Sequence, residues 1–166
     1  MAWVGERVRD AALVDAYLGV EDAASWSEWL PFGEAVPWAP REPGVYLLRD
    51  PASQLVVHVG MAGERAASGR PQGLYGRLSA YRTAQGAVGG FAEAALDRAL
   101  ADPDWVAGRL DDLRTHGPSR TRQWAAAAVA HAAPEVSWAV RPERADAKLL
   151  ADQVELLLRP HGLWTR

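Results

Sequence analysis

Two side chains that can transfer protons stand inside a short pair of apolar runs. In GVYLLRDPASQLVVHVG, residues 44–60, Tyr46 lies in the first run and His58 at the matching place in the second. An imidazole titrates near ~6.5 and a phenol near ~10, so His58 is the better general base at neutral pH, and Tyr46 could orient a water molecule. Taken alone, a tyrosine and a histidine inside strands are more often satisfied core or edge residues. Both interpretations stay open at this point.

The elements that must position these residues follow from apolar periodicity. The runs 45–48 and 55–58, separated by DPASQ, predict a β-hairpin, and EVSWAVRP predicts a third strand. Helices are predicted over 9–18, 74–82, 91–101, 105–115, 120–132 and 143–158. The order of elements is therefore two strands, several helices, one more strand and a closing helix, which is an α+β arrangement.

Helical spacing also places polar residues together. Arg77 and Tyr81 are four residues apart and should be neighbours on one face of the helix over 74–82. In the last helix, spacings of four, three and four form one polar stripe of Lys148, Asp152, Glu155 and Arg159. Without further context these are solvated or ion-paired helix residues.

Composition bounds the class of protein. The chain has 166 residues, 49% of them hydrophobic, a formal net charge of −3 and no cysteine. These values predict one domain, exclude disulfides and zinc–thiolate sites, and favour the cytoplasm; no apolar run reaches the ~18 residues of a membrane helix. The segment 60–82 contains four arginines and only one acidic residue, Glu64, so we expect an anionic partner to bind there. The arginines are Arg65, Arg70, Arg77 and Arg82.

Residues 1–40 form a segment rich in tryptophan and proline. We expect an ordered, irregular N-terminal arm, followed by the main domain over 41–166. Trp26, Trp29 and Trp38 most simply cover an edge of the core, and the alternative is a platform on which bases stack.

The hairpin resembles that of the GIY-YIG nuclease family. Gly44-Val45-Tyr46 matches the first tripeptide, and His58-Val59-Gly60 stands in the place of the second, with eleven residues between them. The resemblance covers about residues 43–166 and implies a small three-stranded antiparallel sheet flanked by helices in a single domain. His58 departs from the pattern, because the family usually has a tyrosine there.

The same resemblance assigns further residues. It implies a catalytic arginine in the first helix, matched by Arg77, and a glutamate in a late helix, matched by Glu155. Thr165 stands near the C-terminus, where the family usually has asparagine. Some members have a histidine at the position of Tyr81, so a tyrosine and a histidine could have exchanged places within one site.

The implied activity is metal-dependent hydrolysis of a phosphodiester by an endonuclease. Tyr46, His58, Arg77 and Glu155 would be catalytic, with Arg77 on the phosphoryl oxygens and Glu155 holding one Mg²⁺ or Mn²⁺ ion. Asp152, one turn earlier, is the rival ligand. Substrate contacts are expected from Arg65, Arg70, Tyr81, Arg82 and Thr165. DNA is favoured over RNA as substrate, and the arm or a partner protein could supply specificity.

Two other functions remain open from the sequence. The replacements at His58 and Thr165 could mark a domain that has lost catalysis and binds nucleic acid or a partner. The acidic total charge also fits a hydrolase of small phosphodiesters, which needs no long basic track.

Overall fold

A computed structural model of the chain describes residues 10–63, 72–83 and 90–164. Its strands are β1 (Leu30–Pro31), β2 (Gly44–Arg49), β3 (Val56–Ala62) and β4 (Glu135–Val140). Its α-helices are α1 (Ala11–Ala23), α2 (Phe32–Ala35), α3 (Gly73–Thr83), α4 (Phe91–Ala99), α5 (Pro103–His116), α6 (Thr121–Ala132) and α7 (Arg144–Leu158), with 3₁₀ helices at Val36–Trp38 and Arg159–His161. None of the helices in these ranges is long and apolar enough to cross a membrane.

The strands form one antiparallel sheet in the order β1-β4-β2-β3. The predicted α+β class is confirmed, but the expected count of three strands is wrong, because β1 adds a fourth. β1 is only two residues long and pairs with the edge of β4. Pro31 is tolerated there because an edge strand can do without one N–H donor. So short a strand carries no alternating pattern that a sequence could reveal.

The register of the hairpin decides which side chains share a face. Tyr46 pairs with Gly60, and His58 pairs with Leu48, so His58 is the diagonal neighbour of Tyr46 and not its direct partner. A shift in register follows between Leu48 and Arg49. Since directly paired residues point to the same side of a sheet, Tyr46 and His58 lie on one face.

The sheet separates two apolar clusters. On the Tyr46 face, side chains of β2, β3 and β4 pack against α3, α4 and α6. On the other face, Val45 and Leu47 pack against α1 and α7. The strict alternation along β2 therefore assigns α3 and α7 to opposite sides of the sheet.

The N-terminal segment is built into this second face. Leu13, Tyr17 and Val20 of α1 are buried there. The hydroxyl of Tyr17 accepts a hydrogen bond of 2.6 Å from the backbone N–H of Val56, next to the register shift. Residues 10–23 therefore contribute to the core of the domain.

The pairing of Tyr46 with Gly60 leads to a prediction about stability. A Cβ atom at position 60 would overlap the end of the Tyr46 ring. Because that ring is almost fully buried, it has little room to move. We expect Gly60→Ala to lower the free energy of unfolding by about 1–3 kcal/mol, the usual cost of overpacking a core, measured by urea denaturation.

Gly108→Ala in α5 is the matched control, because a Cβ atom there meets no atom within 4 Å. In a helix interior this change should raise stability by about 0.5–1 kcal/mol. Wild-type stability of the Gly60→Ala variant would contradict the packing described here.

Candidate functional site

A cluster of hydrogen-bonding side chains lies beneath α3 on the Tyr46 face. The hydroxyl oxygens of Tyr46 and Tyr81 are 2.9 Å apart, and the Tyr46 hydroxyl lies 3.5 Å from His58 Nε2. Phe91 closes the cluster, with its ring centroid 5.5 Å from that of His58 and 6.2 Å from that of Tyr81. The structure thus brings together Tyr46, His58 and Tyr81, three of the predicted site residues.

Local sequence explains how the cluster forms. Leu74, Leu78 and Tyr81 recur at helical spacing, and all three are buried against the sheet. This face of α3 carries the Tyr81 hydroxyl to that of Tyr46. On the strand side, Gly60 leaves space for the Tyr46 ring to lie across it. The exchange of a tyrosine and a histidine within one site stays a hypothesis, although His58 and Tyr81 both lie in this cluster.

Burial sets the protonation of the cluster. Burial, followed by the neighbouring Tyr81, raises the pKa of Tyr46 well above its ordinary value of 10, and Arg77 opposes this increase. Burial, with the charge of Arg77 as the second cause, lowers the pKa of His58 to about 4. At neutral pH Tyr46 is therefore a protonated phenol and His58 an uncharged imidazole.

Burial also limits what these groups can touch. Tyr46 is 1% exposed and His58 5% exposed, so neither reaches a substrate in this conformation. Tyr81 is also buried, and its hydroxyl contacts Tyr46. In this conformation the cluster therefore has little contact with solvent.

Arg77 is the exposed member of the predicted site. It lies on α3 on the same side of the sheet, and its charge influences both Tyr46 and His58. Beside it is an open cavity of about 190 Å³ between the end of β3 and the start of α3. The cavity is lined by Ala62, Gly63, Gln72, Gly73, Gly76, Arg77 and Ala80. Apart from Gln72 and Arg77 these residues are alanine or glycine, so little side-chain bulk surrounds the cavity.

Glu155 lies elsewhere. It belongs to α7, whose apolar side packs against the opposite face of the sheet. Its carboxylate accepts a hydrogen bond of 3.0 Å from Arg159, and Asp152 pairs with Lys148 at 2.6 Å. The polar stripe predicted along this helix is confirmed. Glu155 therefore lies on a helix at the opposite face of the sheet from Tyr46 and from α3, which carries Arg77.

The remaining predicted contacts are dispersed. Arg82 is exposed on α3 and lines a different, apolar cavity with Phe32 and Val129. Arg65, Arg70 and Thr165 lie outside the described residues, so the structure does not bear on them.

The donor set gives little support for a divalent ion. In ranges 10–63, 72–83 and 90–164, no three His, Asp or Glu side chains are grouped so that they could hold a metal ion. Arg77 would also repel a cation placed above Tyr46. Glu155 offers a single carboxylate that is already paired with Arg159. A Mg²⁺ or Mn²⁺ ion held by Glu155 alone, as the family resemblance implies, stays a prediction, because one carboxylate completed by water ligands needs no such group of three.

The three tryptophans that were candidates for a stacking platform divide into two kinds. Trp26 donates from Nε1 to the Val20 carbonyl at 2.8 Å, and Trp29 lies under the Arg49 guanidinium, 4.4 Å from it. Both pack against the second cluster. Trp38 is 83% exposed. Core packing thus explains two of the three, and they form no shared platform.

The sequence pattern does not link Phe91 or Gly60 to the packing of Tyr46, although Gly60 is part of the second tripeptide. Phe91 begins α4, which the apolar spacing of residues 91–101 predicted, but that spacing does not indicate a contact with His58. Gly60 could have been identified from the hairpin, because an unshifted register pairs it with Tyr46. The register itself depends on the turn at 50–55, whose conformation the sequence left open.

Comparisons with family models, with characterised proteins and with solved structures find no match to this chain.

The electrostatics of His58 predict a specific pH dependence. The pKa of His58 is about 4 in the folded chain and has its ordinary value of 6.5 in the unfolded chain. Between pH ~4 and pH ~6.5, His58 is therefore protonated in the unfolded chain and neutral in the folded chain. This contribution to stability is complete above pH ~6.5 and is lost as pH falls to ~4, by about 3 kcal/mol. Below pH ~4, His58 is protonated in both states and no longer changes the free energy of unfolding with pH.

His58→Gln should flatten this part of the stability profile, whereas His116→Gln, at an exposed position of α5, should leave it unchanged. NMR of the imidazole nitrogens provides the direct measurement. A His58 that titrates near pH 6.5 in the folded protein would show that the ring is hydrated and the cluster is not closed.

Proposed function

We propose that this chain is a nucleic-acid-binding domain of GIY-YIG-like design, which holds a phosphodiester beside Arg77. The observation that carries the proposal is the placement of an exposed arginine over a small open cavity, on the face opposite Glu155. The domain would thus keep the phosphate-binding arginine of a nuclease site, Arg77, without the metal-binding carboxylate beside it.

The charge on α3 supports an anionic ligand. The helix sequence GLYGRLSAYRT contains Arg77 and Arg82 and no carboxylate. A planar guanidinium donates to two phosphate oxygens at once, and it remains charged at any physiological pH. Because the groups beneath Arg77 are neutral at pH 7, they do not offset its charge.

Binding can be tested through its salt dependence. Arg77→Ala should weaken binding of DNA and RNA oligonucleotides and reduce the slope of log K against log salt by about one, the effect of losing one phosphate contact. Fluorescence anisotropy at several salt concentrations measures both quantities. Arg122→Ala, at an exposed position of α6, is the matched control and should change neither. An unchanged slope in the Arg77→Ala variant would remove the basis of the proposal.

Phosphodiester hydrolysis is the second candidate function, and one observation favours it. Arg77, Tyr46, His58 and Tyr81 lie on one side of the sheet, with two phenol oxygens 2.9 Å apart. These are the residue types needed to bind a phosphoryl group and transfer a proton. For this candidate the cluster must open, because Tyr46 and His58 are buried.

The two candidates differ in turnover. We expect no cleavage of plasmid, single-stranded DNA, RNA or bis-nitrophenyl phosphate with Mg²⁺, Mn²⁺ or EDTA. Cleavage of the long polymers would favour the endonuclease, and cleavage of the small ester alone would favour a small-phosphodiester hydrolase.

Glu155→Gln and Asp152→Asn then locate any metal ligand. Both residues are exposed and in surface ion pairs, which contribute little to stability, so both variants should fold. Divalent-dependent turnover that is lost only in Glu155→Gln would restore the nuclease assignment, and loss only in Asp152→Asn would move the ligand to Asp152.

A further inference from the structure

Trp38 is an exposed aromatic side chain in an otherwise well-packed segment. It is 83% exposed, the highest value among the large hydrophobic side chains that the structure describes as exposed. Its neighbours Val36 and Ala39 are buried in the Tyr46-side cluster. The segment is therefore anchored on both sides of an indole that faces solvent.

Backbone hydrogen bonds hold this segment across the N-terminal end of α3. The N–H of Tyr75 donates to the Pro40 carbonyl at 2.7 Å, and the N–H of Leu74 donates to the Glu42 carbonyl at 3.0 Å. Gly73 has a φ of +42° and lies against the backbone of Arg41 and Glu42, so a side chain there would not fit. Trp38 is thus presented from a fixed backbone.

A second flat group lies beside α3. The Arg41 guanidinium is stacked over the Tyr75 ring, 4.3 Å from its centroid. Arg41 is exposed, whereas Tyr75 is partly buried. Aromatic rings and guanidinium planes are the groups on which nucleic-acid bases stack.

Tyr75 and Arg77 lie on opposite flanks of α3, because helical residues two positions apart in sequence are separated by about 200° around the helix axis. A strand whose phosphate is held by Arg77 would cross the N-terminal turn to reach Arg41 and Trp38. A helix is about 10–12 Å across, so a strand of a few nucleotides is long enough to cross it.

We infer that Trp38, with the Arg41–Tyr75 stack, is a binding site for unpaired bases of single-stranded nucleic acid. This rests on the proposed binding of a phosphodiester at Arg77. In a duplex each base is already stacked and would first have to be extruded, at a cost in free energy. The Trp38–Glu42 segment carries Arg41 and Glu42 and so has no net charge, which makes its contribution one of stacking.

The test compares Trp38→Ala with wild type on three probes of equal length: oligo-dT, a duplex, and an abasic oligonucleotide that keeps the phosphates. Trp38→Ala should bind oligo-dT about 5- to 150-fold more weakly, the range for one lost stacking contact. Its salt slope should be unchanged, and its affinity for the duplex and the abasic strand should equal that of wild type. Trp38→Phe should recover part of the loss.

Leu149→Ala is the matched control, because Leu149 is 70% exposed on α7 at the opposite face; it should bind as wild type. Equal oligo-dT affinity in Trp38→Ala and wild type would overturn this inference alone and assign the indole to another kind of partner. Equal losses on the abasic strand would also overturn it. Absence of binding by wild type to all three probes would instead reject the proposed function.

Discussion

The Tyr46 phenol, fully buried across Gly60, is the constraint on which the rest of this face depends. A buried hydroxyl without a partner costs about 1–3 kcal/mol, and here Tyr81 supplies the partner at 2.9 Å. Because Tyr81 belongs to α3, that hydrogen bond fixes the helix over the hairpin. The directions of Arg77 and Tyr75 then follow from helical geometry. The pairing of Tyr46 with Gly60, together with the burial of Leu74 and Leu78, therefore positions both flanks of α3.

Alternation along β2 separates the chemistry of the chain into two sides. Tyr46 and Leu48 face α3, whereas Val45 and Leu47 face α1 and α7. Glu155 extends from a helix that is held to the second face by five buried apolar residues, which are Ala147, Leu150, Ala151, Val154 and Leu158. The packing that stabilises α7 is thus what keeps its polar stripe away from the cluster. A carboxylate at Glu155 can join the site only if that helix packs differently.

The sequence predicted the long elements well because their apolar periods are strong. The helix over 143–158 appears as α7, and the strand in EVSWAVRP appears as β4, each shifted by at most two residues at an end. β1 was not predicted, because a strand of two residues is too short to show an alternating apolar pattern. The site was harder to predict, since residue order along a chain does not state which face of the sheet a closing helix will cover. Tyr46, His58 and Tyr81 were found together because a hairpin and the helix after it are close in sequence. Glu155 was misplaced because its position depends on packing across the whole domain.

The buried cluster and the exposed arginine are coupled through charge. If Tyr46 or His58 were ionised, the field at Arg77 would change with pH, and so would its attraction for an anion. Burial holds both groups neutral over the physiological range, whereas Arg77 is exposed beside the cavity. The same burial keeps both the neutral His58 imidazole and the Tyr46 phenol largely out of contact with solvent. The desolvation of the cluster is thus the common physical cause behind the proposal that Arg77 binds an anion at a charge that does not vary with pH.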